Sequence, residues 1–265
     1  MDSPVLNAPF DAVALAAADT ATLKSNLLKQ VEHRDGDAMA KKVRFAKETL
    51  MPLFAELTKR NPIPDLHQQI PLLKGVWLTV WSTIPFQDIL PGRVLHESYQ
   101  IFNDSGYYAN LARYKPGRKA PLLKWISRWL LSYDLMITQS YAVQEQPDAD
   151  VEGNLDLRTT QDQFWDIRNL YIRQSLRIGS LSFSPDMAQR WFDQTLTAYL
   201  QNGQSQQIPS TNPKDKTRIN AKQYQQISKA RPLLDNLYID QDFRLVKTQR
   251  EKSQRPSYTV AVRLT

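Results

Sequence analysis

Residues able to do chemistry are sparse in this chain. Its three histidines, His33, His67 and His96, lie too far apart for metal-ligand spacing, and cysteine is absent. That excludes disulfides, zinc–thiolate sites, iron–sulfur clusters and cysteine nucleophiles. There is no Gly-x-Ser-x-Gly elbow, phosphate loop or dinucleotide fingerprint, and eight glycines leave little material for such loops. Tyr238, Asp240 and Asp242 alternate, so a single strand would carry all three on one face. Two acids so spaced have the form of paired-carboxylate catalysis, but no substrate site accompanies them. The same residues fit a hydrogen bond to a ligand head group, a solvated face, or an ion pair with Arg244. The expectation is a protein that is not an enzyme and needs no metal or cofactor.

Trp77 and Trp81 suit two roles, the wall of a ligand cavity or a packed core, because an aromatic ring stabilises by burial in either. With Tyr238, Asp240 and Arg244 they form the candidate ligand-binding set. A second set lies between Arg113 and Tyr133, which holds Arg113, Lys115, Arg118, Lys119, Lys124 and Arg128 without an acid. Leu122, Leu123, Ile126, Trp129 and Leu130 recur there at helical spacing, with Trp125 beside them. That is the composition of a short helix in a membrane interface; a connecting helix covering one end of a barrel has it too. The candidate membrane-surface residues are Arg118, Lys119, Lys124, Trp125, Arg128 and Trp129. The formal charge of +7 favours an anionic partner. The basic stretch from Gln249 to Pro256 lacks the aromatic platforms of nucleic-acid modules, so nucleic acid is not expected.

The elements that must position these residues change in texture along the chain. Up to about Arg60, apolar residues recur at helical spacing, with a break near Asp35-Gly36 and a kink or split at Pro52. Asn61-Pro62-Ile63-Pro64 should end the helical part. From Gly75 to Thr83, β-branched and aromatic residues predict a strand with Trp77, Thr79 and Trp81 on one face. Residues 93–102 and 107–114 predict a hairpin around Asn103-Asp104-Ser105-Gly106. Further strands are expected over 133–143, 163–176, 236–248 and 257–264. Ser184-Pro185-Asp186 starts a helix, followed by a polar stretch to about Ala230. A run of short strands after a helical segment reads as an antiparallel barrel or sandwich. No stretch has the length needed to cross a bilayer as a helix.

Gly75-Val76-Trp77 resembles the Gly-x-Trp of lipocalin-like barrels, in which the tryptophan plugs the closed end and a late-strand arginine lies against it; Arg244 or Arg263 fits that place. More widely, Leu72 to Thr83 resembles the opening of the fibrillin, or plastid lipid-associated, domain. Asn61-Pro62-Ile63-Pro64 is similar to that family's linker, and Leu234 to Leu245 resembles its late signature with Tyr238, Asp240, Asp242 and Arg244. The matches cover roughly Ser25 to Leu264. The glycines that usually follow the late arginine are absent, and the helix from Ser184 with its polar loop reads as an insertion.

The resemblance implies a mainly β fold with α: a lipocalin-like antiparallel β-barrel with an N-terminal helical extension (1–62), a barrel domain (63–265), and an inserted helix and polar loop (184–230). It implies non-catalytic binding of a lipid, quinone or carotenoid-like molecule at a thylakoid membrane surface. The alternative is a scaffold or assembly factor for a photosynthetic or biosynthetic protein complex, without ligand. The expected location is cytoplasmic or peripheral on thylakoids. The N-terminus has no transit-type character, which fits a cyanobacterial member better than a plastid precursor.

Overall fold

The computed structural model describes residues 10–84, 93–116, 131–145, 163–178, 184–201, 233–249 and 255–264. The helical layer begins with α1 (Ala12–Ala17) and α2 (Thr20–Val31). Asp11 and Asp19 cap them, accepting from the Val13 and Thr22 N–H groups. α3 (Met39–Phe45) runs through a π-turn (Ala46–Leu50) into α4 (Met51–Lys59). Pro52 has no N–H to give to the preceding turn, and the wide turn ahead of it absorbs the missing bond. Arg60 ties α4 to α1 by donating to the carbonyls of Ala16 (2.9 Å) and Ala18 (2.5 Å).

Helical structure does not end at Pro64. A fifth helix, α5 (Leu66–Leu73), follows, with Asp65 accepting from the His67 N–H at 2.8 Å. It is short and contains Pro71, so its apolar spacing is easily missed.

Eight strands then form one antiparallel sheet: β1 (Gly75–Ser82), β2 (Arg93–Phe102), β3 (Tyr107–Pro116), β4 (Leu131–Glu145), β5 (Gln163–Ile178), β6 (Leu233–Ile239), β7 (Phe243–Gln249) and β8 (Ser257–Leu264). Between β5 and β6 lies α6 (Pro185–Gln201), with the Ser184 hydroxyl accepting from the Met187 N–H. The strand order is β5-β4-β3-β2-β1-β8-β7-β6, and the end strands β5 and β6 come together. The result is a nearly closed eight-stranded barrel, mainly β with α, of lipocalin-like form.

Three apolar surfaces of the wall pack against helices. Inside one end, Trp77, Phe102, Tyr108, Tyr141, Trp165, Ile167, Ile239 and Ala261 meet Leu66 and Leu73 of α5. Outside, α1 to α4 cover Trp81, Tyr238, Phe243, Leu245 and Val260. Also outside, α6 places Ala188, Trp191, Phe192 and Leu196 on Val76, Tyr99, Ile101, Ala109, Leu111 and Met136.

Two expectations about faces are corrected. Trp77 and Trp81 do not share one, because the β1–β8 register shifts between Thr79 and Trp81. The extra residue turns Trp81 outward, opposite Val260. The expected strand 236–248 is two strands, β6 and β7, joined by a turn at Asp240-Gln241-Asp242. Asp240 and Asp242 therefore do not line a strand face with Tyr238. The register also shifts between Asn236 and Tyr238, leaving Asn236 inward and Tyr238 outward.

The two ends of the basic segment 113–133 are strand, as the strands expected over 107–114 and 133–143 require. Arg113 belongs to β3 and Tyr133 to β4. Arg113 is no membrane-facing cation: it is buried and donates to Asp134 at 2.8 Å. Arg118, Lys119, Lys124, Trp125, Arg128 and Trp129 lie outside the described residues.

Candidate functional site

The Gly-x-Trp spacing has a physical cause here. Gly75 sits at φ +110, and a Cβ on it would come within 3.1 Å of the Arg263 guanidinium. Two residues on, the same face of β1 carries Trp77, fully buried, whose indole N–H donates to the Leu73 carbonyl at 2.8 Å. Arg263 lies over the indole at 4.3 Å and donates to the carbonyls of Leu72, Lys74 and Gln241. Arg244 also faces the indole, at 5.3 Å, and the Phe102 ring at 4.9 Å. Both arginines therefore lie against the tryptophan. Phe102 stacks on Tyr108 at 4.8 Å and Tyr141 meets Trp165 at 5.7 Å, so the protein's own rings fill this end.

Above the rings runs a belt of amides. The Arg244 guanidinium donates to the side-chain oxygens of Gln100 (3.1 Å) and Asn236 (3.0 Å). From Gln100 the chain continues to Asn110 (3.3 Å), Gln139 (2.5 Å) and Asn169 (2.6 Å), each amide nitrogen donating to the next oxygen. From Asn236 it continues to Gln69 of α5 (2.6 Å) and the Ile63 carbonyl (2.8 Å). Both arms run away from Arg244, so its charge polarises every bond in the same sense. Strands β2 and β7 are not neighbours in the sheet, so the Gln100–Arg244 bond crosses the interior.

Arg244 is 0% exposed, and its Nε–H has no acceptor. Among the described residues no carboxylate pairs with it. Burial, with the nearby charge of Arg263, pushes its pKa down to about 9, leaving it charged at neutral pH. A buried guanidinium without a counter-charge costs several kcal/mol. Burial also pushes the adjoining Tyr108 hydroxyl well up.

Beyond the belt the interior changes character. Thr79, Ser98, Ala112 and Ile137 point inward by register, yet are partly exposed. Their outward neighbours Val76, Ile101, Leu111 and Met136 are buried beneath α6. Tyr114, Tyr133, Leu135 and Ile172 line the same inner half and are themselves buried. Asn110 and Asn169 of the belt are partly exposed as well. The arrangement is a cup: an apolar inner wall with small residues on one side, a polar floor carrying one positive charge, and a sealed aromatic base.

The other candidate ligand residues do not join this interior. Trp81 and Tyr238 lie on the outer wall under the N-terminal helices. The Tyr238 hydroxyl donates to Asp240 at 2.7 Å, and Lys24 of α2 pairs with Asp240 at 2.7 Å and Asp242 at 2.8 Å. Asp240 also accepts from the Phe243 N–H at 2.9 Å. Burial works against its charge. Hydrogen bonding with Asp242, Lys24 and Tyr238 outweighs that and holds its pKa at about 2. This cluster tethers the helical layer to the β6–β7 turn. The belt amides escaped the sequence reading. Their signal is an amide at an inward position between apolar or aromatic ones, as in Ile137-x-Gln139-x-Tyr141.

Comparison of the chain with family models, curated proteins and solved structures gave no match.

Proposed function

We propose that the protein binds a lipid or other apolar small molecule, quinone or carotenoid-like molecules included, in the open half of its barrel, without catalysis. The observation that carries this reading is the inverted burial of the wall. Inward residues Thr79, Ser98, Ala112 and Ile137 keep solvent contact while outward residues are sealed under helices. An apolar enclosure with a few convergent polar groups is the usual form of a small-molecule site. The fibrillin-like motifs at Leu72 to Thr83 and Leu234 to Leu245 support the same reading and add the thylakoid surface as its place. The test is solvent extraction of the purified protein and identification of what it carried. An apolar molecule in amounts comparable to the chain is expected. A clean extract together with a stable co-purifying protein complex would favour the scaffold reading.

The membrane surface as a partner rests on the sequence alone. The candidate contact is the basic, tryptophan-bearing segment 117–130, whose composition suits a membrane interface. Each basic residue near an anionic surface adds about 1 kcal/mol. The native chain is expected to float with anionic liposomes. Replacing Lys119, Lys124 and Arg128 by glutamate should weaken flotation at least tenfold; equal flotation of both would contradict the membrane contact.

A further inference from the structure

We propose that the barrel docks on an anionic lipid bilayer rim first, with the end opposite the sealed base turned to the membrane. The inference rests on the membrane-surface reading above and adds which end of the molecule meets the lipid. Three observations carry it.

The first is the sign of the charge at the two ends. Trp77, Phe102, Tyr108, Tyr141, Trp165 and Ile239 cluster at the base, so the antiparallel order sends the opposite strand ends to the rim. Those ends carry Arg93 of β2, Lys115 of β3, Arg177 of β5 and Lys247 of β7, and Arg255 lies just ahead of β8. Among the described strand ends of the rim the acid is Asp235 of β6, opposite Lys247 in register. The base has the reverse character. Asp104, Glu145, Asp240 and Asp242 stand at its strand ends and turns, with Lys74 paired to Asp104. Arg244 and Arg263 turn inward there, onto Trp77. The barrel is therefore positive at the rim and negative at the base, and an anionic surface draws the rim toward itself.

The second is what the cations surround. Tyr114, Tyr133, Leu135 and Ile172 line the inner half toward the rim. Outside, Arg173 faces Trp191 and Tyr171 faces Tyr199, so α6 runs from the rim toward the base. Its first turn holds Asp186 and leaves Met187 37% exposed. Cations around apolar residues match a bilayer, which offers anionic head groups over hydrocarbon. An acidic protein surface would answer the charge alone.

The third is connectivity. Pro116 and Leu131, which bound the segment 117–130 of the membrane reading, both belong to the rim.

The chain has no cysteine, so one introduced cysteine takes a fluorescent label at a single place. Ser132→Cys puts the label on the rim, and Ser105→Cys puts it in the exposed β2–β3 turn at the base. The labelled full chains are mixed with phosphatidylcholine vesicles, with and without phosphatidylglycerol, that carry a nitroxide quencher on the head group. With phosphatidylglycerol, the rim label should lose most of its fluorescence and the base label almost none. Without it, both should keep theirs. The combined variant Arg93→Gln, Lys115→Gln and Arg177→Gln should bind the anionic vesicles at least about tenfold more weakly than the native chain.

Equal quenching of the two labels, or quenching of the base label alone, overturns rim-first docking and leaves the membrane reading standing. So does native-strength binding by a folded combined variant. Equal binding to vesicles lacking phosphatidylglycerol overturns the match of charge on which the docking depends. No binding of the native chain to either vesicle overturns both the docking and the membrane reading. The comparison of labels keeps every native charge, so it decides even if the combined variant does not fold.

Discussion

At Asp240 one side chain does three jobs: it accepts from the Phe243 N–H to form the turn, from the Tyr238 hydroxyl, and from Lys24 of the helical layer. Its pKa of about 2 lies below the ordinary carboxylate value of 3.8. The folded state therefore gains stability from its ionised form above about pH 4, and loses that gain as pH falls through about 2. The pair is partly solvated, so the gain is about 1 kcal/mol. Asp240→Asn should remove this stretch of acid sensitivity, seen as a flatter dependence of urea midpoint on pH between 4 and 2. An unchanged profile would contradict the tether. Residue identity was legible at Trp77, whose glycine two positions earlier announced a close approach. It was not legible at Asp240, because a turn acid and a strand acid look alike until the register is known. Nor was the belt, whose amides become a network only when β2 and β7 face each other across the interior.

Elements were legible where pattern and punctuation agreed. The β2–β3 hairpin, α6 with its Ser184 cap, and the long strands β4 and β5 all have such signals. They failed where punctuation was absent or misleading. Asp240-Gln241-Asp242 contains neither glycine nor proline, so β6 and β7 read as one strand. Two prolines before Asp65 hid α5. The bulge in β1 is the subtler case, since strict alternation assigns Trp77 and Trp81 to one face. The shifted register instead gives one tryptophan to the sealed base and the other to the helical layer. Trp81→Ala should remove the ring that the bulge delivers to the helical layer, between Leu245 and Val260. The expected loss is about 3–5 kcal/mol, the usual cost of truncating a buried tryptophan. Urea unfolding measures it, and a loss under about 1 kcal/mol would contradict the outward, buried place given to Trp81.

At the scale of the whole molecule, the barrel is coated on two outer faces and sealed at one end by α5 and a cluster of rings. In its other inner half Thr79, Ser98, Ala112 and Ile137 keep partial solvent contact, beside the buried Tyr114, Tyr133, Leu135 and Ile172. The barrel itself was legible from the run of strands and from the motifs at its two ends. The coats were not, because period-2 alternation says which residues share a face and not which face is inside. That division of the wall is what makes an interior ligand physically reasonable, and it also fixes how to block one. Ala112 points into the cup from β3 beside Leu135 of β4, and a tryptophan there would occupy the space a ligand needs. The most direct measurement is therefore titration of the native protein and of Ala112→Trp with a neutral apolar fluorophore, alongside thermal unfolding of both. The account predicts saturable binding of one molecule per native chain, at least tenfold weaker in Ala112→Trp with cooperative unfolding retained. Undiminished binding by a folded Ala112→Trp, or no binding by the native protein, would contradict it.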